Sequence, residues 1–173
     1  INETKDTRNE VPFRLNNLLD NISKEYARKA GGRALLFEHR HKNVGDITVR
    51  GDAAKLEQIL DNLLTNAIKF TLSGTIRFHT EYMAGRLYVE VGDIGIGMDE
   101  EPLDRVFRPF ERAAQEIHSE GFGLGLFITK ALVKVLDGSI EVESRPGKGT
   151  TFCLSFPLSE TTGEPETEEL PVQ

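Results

Sequence analysis

The stretch from Gly51 to Thr71, GDAAKLEQILDNLLTNAIKFT, leaves few folds open to this chain. Asp52 is suited to cap a helix start, and apolar residues recur at Leu56, Leu60, Leu63, Ala67 and Phe70. That is the spacing of one helical face, and it predicts a helix whose face belongs in a core. Beside this face Asn62 and Asn66 stand one turn apart, and Lys69 follows three residues later. Two amides and an ammonium along a single edge suit a metal ion and phosphates. Taken alone, the pattern is first that of an amphipathic helix with a polar shoulder, and the motifs downstream bring out the other reading.

The chain of 173 residues is long enough for one domain with a sizeable core. Its formal net charge is −7, but Glu160, Glu164, Glu166, Glu168 and Glu169 crowd the last fifteen residues, and without them the body is near −2. A nearly balanced body without a basic run argues against nucleic-acid binding by phosphate neutralisation. Cys153 is the only cysteine, which excludes a disulfide framework and a thiolate metal cage; it reads as a small buried residue of a strand. No apolar run has membrane-spanning length and no signal-peptide pattern opens the chain. A soluble, cytoplasmic domain is expected, and the start at Ile1 fits a piece of something longer.

Residues 1–10 read as a linker or the tail of a preceding element. A short extended stretch from Val11 leads into a helix marked by Leu15, Leu18, Leu19, Ile22 and Tyr26 and stopped by Gly31-Gly32. Ala34 to His39 and Asp46 to Val49 are expected as strands able to pair with one another. Gly74 to Tyr82 and Arg86 to Val91 form a hairpin across Met83-Ala84-Gly85. Asp99 to Ser119 is polar and irregular, the signature of a lid or binding loop. Gly123 to Leu136 is a second strong helix, with Leu126, Ala131 and Val135 among its apolar residues, and Ser139 to Glu143 with Thr150 to Phe156 closes the domain as a hairpin. Residues 158–173 read as a disordered acidic tail or linker. Helices interleaved with antiparallel hairpins imply an α/β two-layer sandwich over residues 11–157, a mixed, mostly antiparallel sheet covered on one face by about three helices.

Three glycine stations follow the polar-edged helix. Asp93-Ile94-Gly95-Ile96-Gly97 puts a carboxylate at the mouth of the sheet, able to accept a hydrogen bond from an exocyclic amine such as that of adenine, or simply to turn the chain. Gly121-Phe122-Gly123-Leu124-Gly125-Leu126 runs into a helix whose free N–H groups suit phosphates, or serves as a hinge. Leu126 stands where a dinucleotide fingerprint needs glycine, and no phosphate-loop pattern G-x-x-x-x-G-K-[ST] occurs. Gly147-Lys148-Gly149-Thr150 is by itself a hairpin turn.

The succession of amide helix, Asp-Gly turn, Phe107-Arg108-Pro109-Phe110, glycine loop and Gly-x-Gly-Thr turn resembles the ATP-binding catalytic domain of bacterial sensor histidine kinases, within the wider ATPase group of gyrase and the heat-shock chaperones. The resemblance covers roughly residues 11 to 157. It implies ATP and Mg²⁺ as ligands, with Asn66 holding the metal, Asn62 as its partner one turn earlier and Lys69 contacting phosphate. It makes Asp93 the reader of adenine, with Gly95 and Gly97 shaping the pocket. Phe107 and Phe110 anchor the lid, Arg112 reaches the γ-phosphate, Gly121, Gly123 and Gly125 cradle phosphates, and Thr150 closes the adenine side. Ile94 and Phe122 depart from the pattern, standing where Thr or Asn and Thr or Ser are common, which implies altered nucleotide affinity.

In the hydrolysing branches of that group a Glu at the position of Asn62 acts as general base toward water, and an amide cannot accept that proton. The expectation is a protein-histidine kinase fragment that positions a transferable γ-phosphate. The nucleophile is expected elsewhere, because His39, His41, His79 and His118 lack the His-Glu/Asp-x-x-x-Pro surroundings of the family's acceptor helix. Its implied partners are its own histidine-bearing dimerisation domain, which would make the whole protein a homodimer and leave this fragment monomeric, and a response regulator or receiver domain. The whole protein is expected to sit at the inner membrane or in the cytoplasm. An anti-sigma-type serine kinase and a non-catalytic ATP-sensing module are the competing readings.

Overall fold

In the computed structural model, which describes residues 8–95, 122–145 and 149–162, β1 (Val11–Arg14) passes directly into α1 (Leu15–Gly31). Its N-cap residue, Arg14, makes no side-chain capping hydrogen bond; the first helical N–H, that of Leu15, donates to the carbonyl of Ile47 at 3.2 Å. Leu15, Leu19, Ile22, Tyr26 and Ala30 recur every three or four residues and are all buried. Next come β2 (Leu36–Lys42) and β3 (Thr48–Gly51). These two do not pair with each other as expected. β2 runs parallel to β4 (Gly74–Met83) in the register Leu36↔Thr75, whereas β3 pairs antiparallel with β1.

The organising helix is α2 (Ala53–Phe70), and Asp52 caps it, accepting from the Lys55 backbone N–H at 3.0 Å. Asp52 also accepts from Asn9 N–H at 2.8 Å and Lys55 Nζ at 3.2 Å. Burial alone would raise its pKa, but these hydrogen bonds and the Lys55 charge outweigh burial and hold the carboxyl below its ordinary value. Leu56, Ile59, Leu60, Leu63, Leu64 and Ile68 are buried on the core side, each burial worth roughly 1.5–3 kcal/mol. Phe70, read as part of that face, is 44% exposed, since the helix ends there and the chain turns away.

β4 turns into β5 (Arg86–Gly95) through Ala84 and Gly85, both at positive φ (52° and 77°), as a tight two-residue hairpin requires. After α3 (Phe122–Val135), β6 (Ser139–Arg145) and β7 (Gly149–Pro157) complete a five-stranded sheet of order β2-β4-β5-β7-β6. α3 ends on Asp137 in the left-handed region (φ 60°), with Gly138 N–H reaching Val133 O and Asp137 N–H reaching Lys134 O, each at 2.9 Å. Its buried stripe is Leu126, Thr129, Val133 and Leu136, whereas the apolar Ala131 and Val135 are exposed. Along β4, Ile76, Phe78 and Thr80 are buried, and the intervening Arg77, His79 and Glu81 occupy the other face of the sheet. α1 packs on β2, α2 on β5, and α3 on α2 and β6, so the expected two-layer α/β sandwich holds.

The ends of the described chain are more ordered than expected. Leu158 is buried, and β8 (Ser159–Glu160) pairs with β3, making a second, three-stranded sheet of order β1-β3-β8. The folded body therefore continues past Pro157. At the entry, Arg8 bonds to the Val135 carbonyl (3.4 Å) and pairs with Asp137 (3.0 Å) at the end of α3.

His41 joins the two layers: Ser23 Oγ of α1 lies 2.8 Å from its Nε2, and Thr80 Oγ1 of β4 lies 2.7 Å from its Nδ1. Burial, with the neighbouring His39 charge, lowers its pKa from 6.5 to about 4. The unfolded chain therefore takes up this proton before the folded one does, and stability is expected to fall as pH drops from 6.5 toward 4. Urea melts across that window should show the decline in wild type and a shallower one in His41→Gln. Parallel declines would remove His41 as the source.

Candidate functional site

The site begins with the alternation of β5. Leu87, Val89 and Val91 are buried on the helix-facing side, and Asp93, half-buried, continues the same row two residues on. The sequence placed Asp93 in a turn after Val91. In the structure β5 extends to Gly95, because β4 begins at Gly74 and supplies backbone partners, pairing Ile76 with Asp93 and Gly74 with Gly95. The carboxylate is thus carried on a strand, a more rigid support than a loop.

The third glycine station meets the first at this point. Gly149 has φ 92°, and a Cβ built on it would fall onto the Asp93 carbonyl and 2.8 Å from Asp93 Oδ1. Only glycine allows this approach. Gly92 is also tight: its Cβ would lie 2.7 Å from Thr151 Oγ1 and 2.8 Å from the Thr150 carbonyl. Thr150, 5% exposed, sits one step beyond the Gly92–Thr151 pair and therefore level with Asp93.

α2 lies over β5 and presents Asn62, Asn66 and Lys69 as half-buried residues on one edge. Asn62 Nδ2 donates to Thr129 Oγ1 of α3 at 3.3 Å, linking the two helices. On the opposite flank Tyr26 of α1 donates to Asp61 Oδ1 at 2.8 Å, with Thr65 Oγ1 3.4 Å away. Burial, with the Asp61 carboxylate, raises the Tyr26 pKa well above its ordinary value and keeps the phenol a donor. Lys69 Nζ lies 5.7 Å from the Phe70 ring centroid. Gly123 and Gly125 fall inside the first turn of α3, which begins at Phe122, one residue before the expected start. Their N–H groups belong to the unsatisfied set at a helix start, where partial positive charge gathers. Gly97, Phe107, Phe110, Arg112, His118 and Gly121, and with them the expected lid, lie outside the described residues.

Among the described residues no group of three or more His, Cys, Asp or Glu could hold a metal. The amide oxygens of Asn62 and Asn66 are hard neutral donors, suited to Mg²⁺ in company with phosphate oxygens and unsuited to zinc. Sequence reasoning missed Thr129 and Tyr26. The signal for Thr129 was present: a hydroxyl stands in the apolar spacing of α3 between Leu126 and Val133.

Residues 51–160 match the family described as histidine kinase-, DNA gyrase B-, and HSP90-like ATPase. The autoinducer 2 sensor kinase/phosphatase LuxQ of Vibrio parahaemolyticus is 44% identical over 124 residues, which make up 67% of this chain and 14% of that protein. The chain thus spans less than a fifth of that relative's length. Among solved structures, the catalytic domain of the histidine kinase ThkA superposes with a TM-score of 0.69 at 28% identity, covering 86% of this chain and 95% of that one. Full-length ShkA in complex with AMPPNP gives 0.72 at 25% identity, covering 89% and 32%.

Proposed function

This chain belongs to the histidine kinase-, DNA gyrase B- and HSP90-like ATPase family, and from that premise we propose that it is the ATP-holding half of a sensor histidine kinase. It delivers the γ-phosphate to a histidine on a separate dimerisation segment, from which a response regulator draws it. The observation that carries this reading is the meeting of Asp93 with Gly149 and Thr150 on the helix-facing side of β5, beside α2.

The adenine amine donates to the Asp93 carboxylate, which would be ill-matched to the carbonyl of guanine. Gly149 lets β7 close against Asp93, and Thr150 closes that side with Gly95 and Gly97. The N–H groups opening α3, at Gly123 and Gly125 with Gly121 before them, receive phosphate oxygens. Lys69 neutralises phosphate charge from α2, while Arg112 and Phe110 serve the γ-phosphate and the lid. Asn66 and Asn62 would hold Mg²⁺ through their amide oxygens, and the ion when bound supplies charge neutralisation across the phosphates. Because Asn62 cannot accept a proton from water, the chain positions the γ-phosphate without activating a hydrolytic nucleophile.

The acceptor histidine comes from elsewhere. His39 and His41 lie on edge strand β2, and His79 lies on β4 facing away from the helices. Among the described residues no helix is long and apolar enough to cross a membrane. A domain that draws on cellular ATP works on the cytoplasmic side, however the whole protein is anchored.

The metal assignment is tested by Asn66→Ala. ATP affinity measured by calorimetry with Mg²⁺ present should fall at least about tenfold, and that measured in chelator by much less. Equal losses under the two conditions would remove Asn66 from the metal site.

A further inference from the structure

We infer that Thr129 is a positioning residue for Asn62, fixing which end of that amide faces the nucleotide; this rests on the kinase reading above. Thr129 is fully buried, and its neighbours on the inner stripe of α3, Leu126, Val133 and Leu136, are apolar. A valine would fill nearly the same volume, and the packing of that stripe makes no use of a hydroxyl. A hydroxyl buried there must instead be satisfied by polar partners. The partner present is Asn62 Nδ2, which donates to Thr129 Oγ1 at 3.3 Å.

The consequence lies in the chemistry of the amide. Its oxygen and nitrogen ends are nearly equal in shape and opposite in role, so a free asparagine offers a cation either a ligand or a repelling donor. Committing Nδ2 to Thr129 turns Oδ1 away from that contact and leaves it to serve as the ligand. Asp61, the preceding residue, is held from the other flank by Tyr26. α2 is therefore held by hydroxyls on both sides of the pair Asp61-Asn62, one turn before Asn66. Tyr26 fixes the helix, and Thr129 fixes the amide.

The test separates hydroxyl from volume with Thr129→Val and Thr129→Ser. In the nucleotide-free chain, the Asn62 side-chain amide in nitrogen-15 spectra should exchange slowly with water in wild type and T129S, and quickly in T129V. In transfer from ATP·Mg²⁺ to a separate histidine-bearing dimerisation fragment, T129V should lower the rate constant at saturating ATP about tenfold, with KM for ATP nearly unchanged. T129S should stay close to wild type. Should T129V fail to fold, Thr129→Ala provides a second removal of the hydroxyl with the same expectations. A wild-type rate in T129V, or a T129S as slow as T129V, overturns the inference. A wild-type chain that transfers nothing counts against the kinase reading alone, and the amide signal then decides whether Thr129 holds Asn62.

Discussion

Asp93→Asn is expected to abolish ATP binding while leaving the fold intact. The substitution keeps the shape of the side chain, and shape matters because Gly149 is pressed against Asp93. It also leaves the main chain of β5 in register with β4, Asp93 still opposite Ile76. What changes is one acceptor oxygen, replaced by an N–H₂ donor that faces the adenine amine donor to donor. A site built to hydrogen-bond a polar group rejects the mismatched partner strongly, and a loss of affinity beyond about a hundredfold is expected. Calorimetry measures the affinity, and circular dichroism with a thermal melt checks the fold. Affinity within a few-fold of wild type, with the fold unchanged, would remove Asp93 from adenine recognition.

The sequence was most legible where the determinants are local. α2 could be read from its cap and apolar spacing, and the structure places Asp52 and the Leu56–Ile68 face accordingly. α1, the β4–β5 turn and the end of α3 were equally local and equally readable. What failed was pairing between distant segments. Nothing near Asp46 to Val49 says that β3 joins β1 and a two-residue strand beyond Pro157 rather than β2. The extension of β5 through Asp93 to Gly95 was hidden because glycines there read as a turn, while the backbone of β4 decides otherwise.

The site shows the same division. Asn62, Asn66 and Lys69 share an edge by helical periodicity alone, so their grouping was visible from the start. The contact between Asp93 and Gly149 joins residues far apart in the chain and required the sheet order to bring β5 beside β7. The link from Asn62 to Thr129 was illegible for a related reason. Which buried hydroxyl faces which amide depends on how α2 and α3 pack, and helix periodicity does not specify that.

The second large effect concerns where the phosphate goes. At the position that the resemblance matches to the general base of the hydrolysing branches, this chain has Asn62, whose amide nitrogen donates to Thr129. Neither end of that amide can take a proton from water, so slow ATP turnover by the chain alone is expected. On the function proposed above, the site would contribute positioning and charge stabilisation, which account for most of phosphoryl-transfer catalysis. Its activity should then depend on an added nucleophile rather than on water.

The most direct test is to incubate the chain with γ-labelled ATP, Mg²⁺ and a separate dimerisation fragment bearing the acceptor histidine, and then to challenge the product with acid and with base. A histidine kinase places the label on the fragment as a phosphoramidate, lost in acid and retained in base, with little free phosphate when the fragment is omitted. No label on the fragment would point to an ATP-sensing module, an acid-stable phosphoprotein to a serine kinase, and either result would contradict the function proposed for this site.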